Sequence, residues 1–157
     1  MSKRYIHSHN DMWNRSQFYT ALKAGCNIFE VDVMLVGDEL MMTHSFRPFK
    51  WLCYGKLESY FEKMHRLRDK ELYLYIEIKT SDEKIIYKLT TLINQYPGIR
   101  IVIKGIDKWF SVGRKYIAEE VEAFNPLVIN FDRFIQGADY KRVDLWKDSW
   151  WRRWNRW

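Results

Sequence analysis

Cysteine is scarce in this chain: Cys26 and Cys53 are the only two, and their spacing suits neither a disulfide framework nor a metal knuckle. Cys26 opens an apolar run and reads as a small core residue. No apolar stretch approaches the ~18 residues of a membrane span. The first strand is expected to start by Arg4, which leaves no room for a signal peptide ahead of the fold. These absences together point to a cytoplasmic, reducing compartment. Repeats, low-complexity linkers and any sign of a second domain are also missing, so residues 1–157 are expected to form a single domain.

What is present is an ordinary globular composition with an aromatic excess. The 157 residues are 47% hydrophobic and 29% charged, which excludes a disordered chain. Aromatic residues make up 17%, and five of the eight tryptophans (Trp146, Trp150, Trp151, Trp154 and Trp157) crowd into the last dozen positions. The net charge of +6 favours anionic partners such as phosphates, anionic lipid headgroups or nucleic acid. It does not choose among them, and solvated helix faces rich in Lys and Arg account for it equally well.

Apolar runs and helical periodicities alternate along the chain. Short strands are predicted at residues 4–7, 72–79, 100–104 and 127–131, and a strong one at 27–35. Gly37-Asp38 should turn that strong strand into a hairpin over residues 39–43. Leu57, Tyr60, Phe61, Met64 and Leu67 recur at helical spacing, as do Ile85, Ile86, Leu89, Leu92 and Ile93 behind a capping Asp82. Further helices are predicted over residues 16–24 and 109–124, and a sixth strand at 143–146. Such alternation means βαβ units on a parallel sheet with right-handed crossovers, an α/β fold of the (β/α) TIM-barrel type. A full barrel takes ~250 residues, with about 200 near the lower end, so this one is expected to be incomplete, with five or six units.

Two acids interrupt the strongest strand, Ile28-Phe29-Glu30-Val31-Asp32-Val33. Side chains alternate along a strand, so Glu30 and Asp32 share the inward face while Phe29, Val31 and Val33 face the helices. Two neighbouring inward carboxylates repel, and desolvating each would cost several kcal/mol unpaired. A divalent cation, Mg²⁺ or Ca²⁺, resolves this, since both prefer hard oxygen ligands. Pairing with Lys or Arg on a solvated edge is the alternative. The pattern returns in Tyr75-Ile76-Glu77-Ile78-Lys79-Thr80, where Glu77 and Lys79 share a face at the C-terminal strand end, where barrel active sites lie. Glu77 would complete a metal site, and Lys79 could hold a phosphate oxygen as a point charge.

The four histidines divide. His65 falls on the expected solvated side of a helix. His7 and His9 end the first strand in His7-Ser8-His9-Asn10-Asp11, and His44 follows the hairpin. Two imidazoles across a phosphate, His7 and His44, could divide the proton work. His9 could orient the site, bind metal or cap the turn with Asn10.

The order His…Glu-x-Asp…His…Glu-x-Lys, each group after a predicted strand, resembles the phosphatidylinositol-phospholipase-like and glycerophosphodiester phosphodiesterase superfamily, and within it the Aim6-like branch. The similar stretches are His7-Ser8-His9-Asn10-Asp11, Ala21-Leu22-Lys23-Ala24-Gly25, Glu30-Val31-Asp32-Val33, the hairpin to His44, and Ile76-Glu77-Ile78-Lys79-Thr80. Phe131-Asp132 and Asp148-Ser149-Trp150 also match. The resemblance implies His7 and His44 as the acid/base pair and Glu30, Asp32 and Glu77 as metal ligands. Relatives continue beyond the point where this chain stops, and often carry Gly in place of Arg133.

The expected function is therefore metal-dependent hydrolysis of a glycerol- or inositol-type phosphodiester, with Lys79 and Lys104 on the phosphate and His9 and Asn10 in support. A barrel remnant that binds a phosphate or lipid headgroup without turnover is the alternative. The Arg- and Trp-rich tail, residues 147–157, suits a membrane surface, stacking on nucleic-acid bases or unmade core contacts. Specific nucleic-acid binding is not expected, and the two edges of an incomplete barrel invite pairing between chains.

Overall fold

The computed structural model describes residues 2–9, 12, 17–107 and 113–145. The sheet is built from β1 (Arg4–Ser8), β2 (Ile28–Val36), β3 (Glu39–Met42), β4 (Tyr73–Ile78), β5 (Arg100–Gly105), β6 (Val128–Asn130) and β7 (Asp139–Val143). Between the strands lie α1 (Gln17–Lys23), α2 (Glu58–Arg66), α3 (Lys84–Gln95), α4 (Arg114–Phe124) and the single turn α5 (Phe131–Phe134). The strand order is β6-β5-β4-β2-β1-β7, all parallel, with β3 antiparallel on β2. This is a six-stranded parallel half-barrel, the incomplete TIM-type architecture expected.

Alternation along the strands sorts the side chains into two cores. Phe29, Val31 and Val33 of β2 pack outward with Leu74, Ile76 and Ile78 of β4 against Phe18, Phe61, Leu57, Ile85, Leu89 and Ile117 of the helix layer. Burying such large aliphatic and aromatic groups contributes about 1.5–3 kcal/mol each. The concave face carries a separate, mostly aromatic cluster of Tyr5, Ile28, Tyr73, Tyr75, Val102 and Phe131.

The hairpin between β2 and β3 has the predicted geometry. Gly37 and Asp38 both take positive φ (54° and 65°), the two-residue turn whose twist matches the strands it joins. β1 pairs with β2 only at Ile28 and Phe29, so β3 takes up the same edge higher along the strand.

Most elements begin and end within about a residue of expectation, and three boundaries need a reason. The strand expected to end at 131 stops at Asn130, whose side chain accepts a 3.0 Å hydrogen bond from the Asp132 amide and caps α5. The last strand runs over Asp139–Val143 rather than 143–146, because its pairing is set by the β1 edge it joins (Arg4 opposite Asp139, Ser8 opposite Val143). α4 begins at Arg114, and positions 109–112 of the expected helix lie outside the described residues. The Trp/Arg tail from residue 146 onward lies outside them as well.

Candidate functional site

Glu30 and Asp32 of β2 stand opposite Tyr75 and Glu77 of β4, and Glu77 in turn stands opposite Lys104 of β5. The register therefore draws Asp32, Glu77 and Lys104 into one row on the concave face, with Glu30 one step below. Glu30, Asp32 and Glu77 each offer a carboxylate oxygen within 4.8 Å of the other two. Glu30 and Asp32 are buried, whereas Glu77 is 13% exposed and forms the open side. Lys79 reaches across the cluster, 3.4 Å from Glu77 Oε2 and 4.0 Å from Asp32 Oδ2.

Burial pushes the Glu30 carboxyl up to about 8 and the Asp32 carboxyl up to about 7, only partly countered by His9 and Lys79 respectively. Burial also raises Glu77, but Lys79 and hydrogen bonds from Asp32 and Glu30 outweigh it and hold that carboxyl below its usual range. Glu77 thus keeps its charge while its two neighbours retain protons near neutrality. Asp32 Oδ1 is buried with no hydrogen-bond partner among the described residues. An orphaned buried acceptor beside two further carboxylates suits a hard divalent cation, so these residues fit Mg²⁺ or Ca²⁺.

The histidines surround this cluster at different depths. Thr43 donates its amide to the Asp32 carbonyl (3.0 Å), so the chain leaving β3 lays His44 over β2. His44 Nδ1 sits 2.7 Å from Asp32 Oδ2, and its side chain is 52% exposed. His9 lies with Nδ1 2.6 Å from Asp144 Oδ1 and Nε2 3.6 Å from Glu30 Oε1. His7 is deeper, 2% exposed, with Nδ1 2.5 Å from the Tyr140 hydroxyl. Its Nε2 approaches Glu30 Oε2 at 2.6 Å, a close contact without hydrogen-bond alignment. Burial, then the nearby Arg142, lowers the His7 imidazole to about 3, so it is neutral at physiological pH.

His7 is thus the deepest of the three, with one ring nitrogen at the Tyr140 hydroxyl and the other against Glu30. His9 stands nearer the opening. Asn10 lies outside the described residues. Lys104 joins the row of Glu77, yet its ammonium is tied to Asp132 Oδ1 at 2.9 Å and lies over the Phe131 ring. Arg133 pairs with Glu122 on α4. His65 is half-buried, its ring edge-on to Tyr96.

Sequence reasoning missed Tyr140, Arg142, Asp144 and the lysine-binding role of Asp132. The alternating Tyr140-Lys141-Arg142 is a weak strand signal, and only pairing with β1 brings it to the site.

Comparison with known proteins gives a family match over part of the chain and a shared fold. Residues 2–52 match the family model of the AIM6-like phosphodiesterase domain. A curated relative, an altered inheritance of mitochondria protein 6 homolog from Arthroderma benhamiae, is 47% identical over 45 residues, which is 25% of this chain and 14% of that protein. Among solved structures, a proposed glycerophosphoryl diester phosphodiesterase from Silicibacter pomeroyi superposes with a TM-score of 0.63 at 13% identity, over 82% of this chain and 64% of its own. The glycerophosphodiester phosphodiesterase of Agrobacterium tumefaciens gives 0.55 at 14% identity, over 79% and 63%. The chain thus spans less than two-thirds of each of these three proteins. Its first third is similar to the AIM6-like phosphodiesterase domain, and its half-barrel has a fold like that of these two solved structures.

Proposed function

We propose that this chain is a metal-dependent phosphodiester hydrolase acting on a glycerol- or inositol-type headgroup ester. The observation that carries the reading is the clustering of Glu30, Asp32 and Glu77 around the unpartnered Asp32 Oδ1. Those three carboxylates would hold Mg²⁺ or Ca²⁺. When bound, such an ion supplies Lewis-acid polarisation of a phosphoryl oxygen. Lys79 offsets the negative charge of a phosphate entering from the Glu77 side. Lys104 can add to this only by releasing Asp132.

Proton transfer falls to His44 and His9, each oriented by a carboxylate, Asp32 and Asp144 respectively. One takes the proton of the attacking oxygen and the other returns a proton to the leaving alkoxide. His7 positions Glu30 from below, with its ring fixed by Tyr140.

The test is hydrolysis of bis(p-nitrophenyl) phosphate with Mg²⁺, Ca²⁺ or Mn²⁺ against an EDTA control, repeated with Glu30→Ala and His44→Ala. Turnover that needs the metal, Glu30 and His44 supports the reading, and full activity in Glu30→Ala sinks the metal assignment. A second reading, a headgroup-binding barrel without turnover, is favoured by the Asp132 tether on Lys104. Metal binding by calorimetry with no hydrolysis of any diester would select it.

A further inference from the structure

The segment that leaves His44 is unlike the rest of the surface. Phe46 is 73% exposed and Trp51 78%, with Phe49 and Leu52 also exposed. Phe49 and Trp51 stack nearly parallel, 9° apart with centroids at 5.9 Å, so two of these aromatics are ordered against each other rather than against the core. Large apolar side chains this exposed, clustered within seven residues, mark a contact surface rather than ordinary scatter.

The charge around them leans positive. From residue 40 to residue 57 the sequence has no Asp or Glu, while it carries Arg47, Lys50 and Lys56. Glu39 is the carboxylate that pairs with Lys50 (3.1 Å) and Lys56 (3.5 Å). Counting Glu39 with Arg47, Lys50 and Lys56 leaves this corner at +2. Exposed Phe and Trp interleaved with Arg and Lys is the composition that seats at the headgroup boundary of a bilayer: rings enter the interface and cations meet anionic lipid. A protein partner would match the apolar patch but would not by itself account for this bias of charge.

We propose that residues 46–52 form a docking surface for an anionic lipid bilayer. The segment begins two residues after His44, whose ring touches Asp32 of the acidic cluster, so docking would hold the concave face beside the headgroups. Docking does not depend on turnover, since the loop contributes no group to the carboxylate cluster.

Vesicle co-sedimentation of the full chain tests this, with phosphatidylcholine alone and mixed with phosphatidylglycerol, at low and high salt. The expected result is binding to the mixed vesicles that weakens with salt. Phe46→Ser with Trp51→Ser should lower it at least about tenfold, and Arg47→Glu should remove the preference for anionic lipid, both with unchanged melting temperature. Wild-type protein that ignores mixed vesicles at low salt would overturn the proposal, as would an unchanged partition of the folded double variant. So would a loss confined to a Trp150→Ser, Trp154→Ser control, which would give the surface to the tail. Self-association abolished by the loop variants without vesicle binding would give it instead to a second copy of the chain. Hydrolysis of the soluble diester by the double variant is read in parallel, so failure of docking and failure of catalysis are separate results.

Discussion

At the scale of single residues, the site is governed by burial of charge. Glu30 and Asp32 hold protons in the metal-free fold because desolvation raises them to about 8 and about 7 from ordinary values of 4.5 and 3.8. A carboxyl raised on folding stabilises the fold below its unfolded value and loses that contribution as pH rises through the folded one. His7, lowered to about 3, acts in the opposite sense, but only below its ordinary value of 6.5. Between pH 6.5 and 8.5 the acids therefore dominate. The EDTA-treated protein should lose more than about 3 °C of melting temperature across that window, and Glu30→Gln should flatten the slope. Excess Mg²⁺ or Ca²⁺ should restore stability most at the alkaline end, because the cation replaces the protons. A melting temperature independent of pH in EDTA would refute the burial argument. The histidines separate by another measurement. His9→Gln and His44→Gln should each reduce kcat/KM by roughly 10²–10⁴-fold, with metal affinity by calorimetry changed far less.

Elements fix how these residues meet. The β2–β3 hairpin brings His44 back over Asp32, and its two-residue turn holds because Gly37 and Asp38 accept positive φ. At the far end of β5, Gly105 lies against the start of α4: a Cβ there would come within 1.9 Å of the Arg114 carbonyl oxygen. Backbone cannot yield as a flexible side-chain end does. Gly105→Ala should therefore destabilise by about 3 kcal/mol, read from the urea midpoint at unchanged slope. An unaltered midpoint would mean that the β5–α4 junction shifts without cost.

For the whole molecule, the question is how a half-barrel fills its own concavity. Phe131 at the start of α5 enters the concave face, with its ring centroid 4.6 Å from that of Tyr75 and 5.6 Å from that of Tyr140, while Phe134 packs on Tyr5 and Tyr73. These aromatic side chains occupy the interior below the acids. Phe131→Ala should cost about 3–5 kcal/mol and, by loosening Tyr140, weaken the support of His7 and Glu30. Retained stability with intact metal affinity would show that the plug is dispensable. Among the described residues, the outermost strands of the sheet are short at β6, three residues long, and charged at β7, which reads Asp-Tyr-Lys-Arg-Val. Both features blunt edge pairing.

The sequence by itself determined the parallel α/β architecture, the hairpin turn and the shared inward face of Glu30 and Asp32. Each follows from periodicity or turn chemistry within a few residues, so local physics suffices. It also carried Glu77 and Lys79 to the correct strand end. Only the tertiary structure decided depth and partnership. That His7 rests on Tyr140, that His9 leans on Asp144, and that Lys104 is held by Asp132 all depend on β7 joining β1 and on α5 turning inward. Those contacts join residues separated by 28 to 135 positions in the chain. No periodicity encodes them, because a strand's pairing partner is chosen by the packing of the whole sheet.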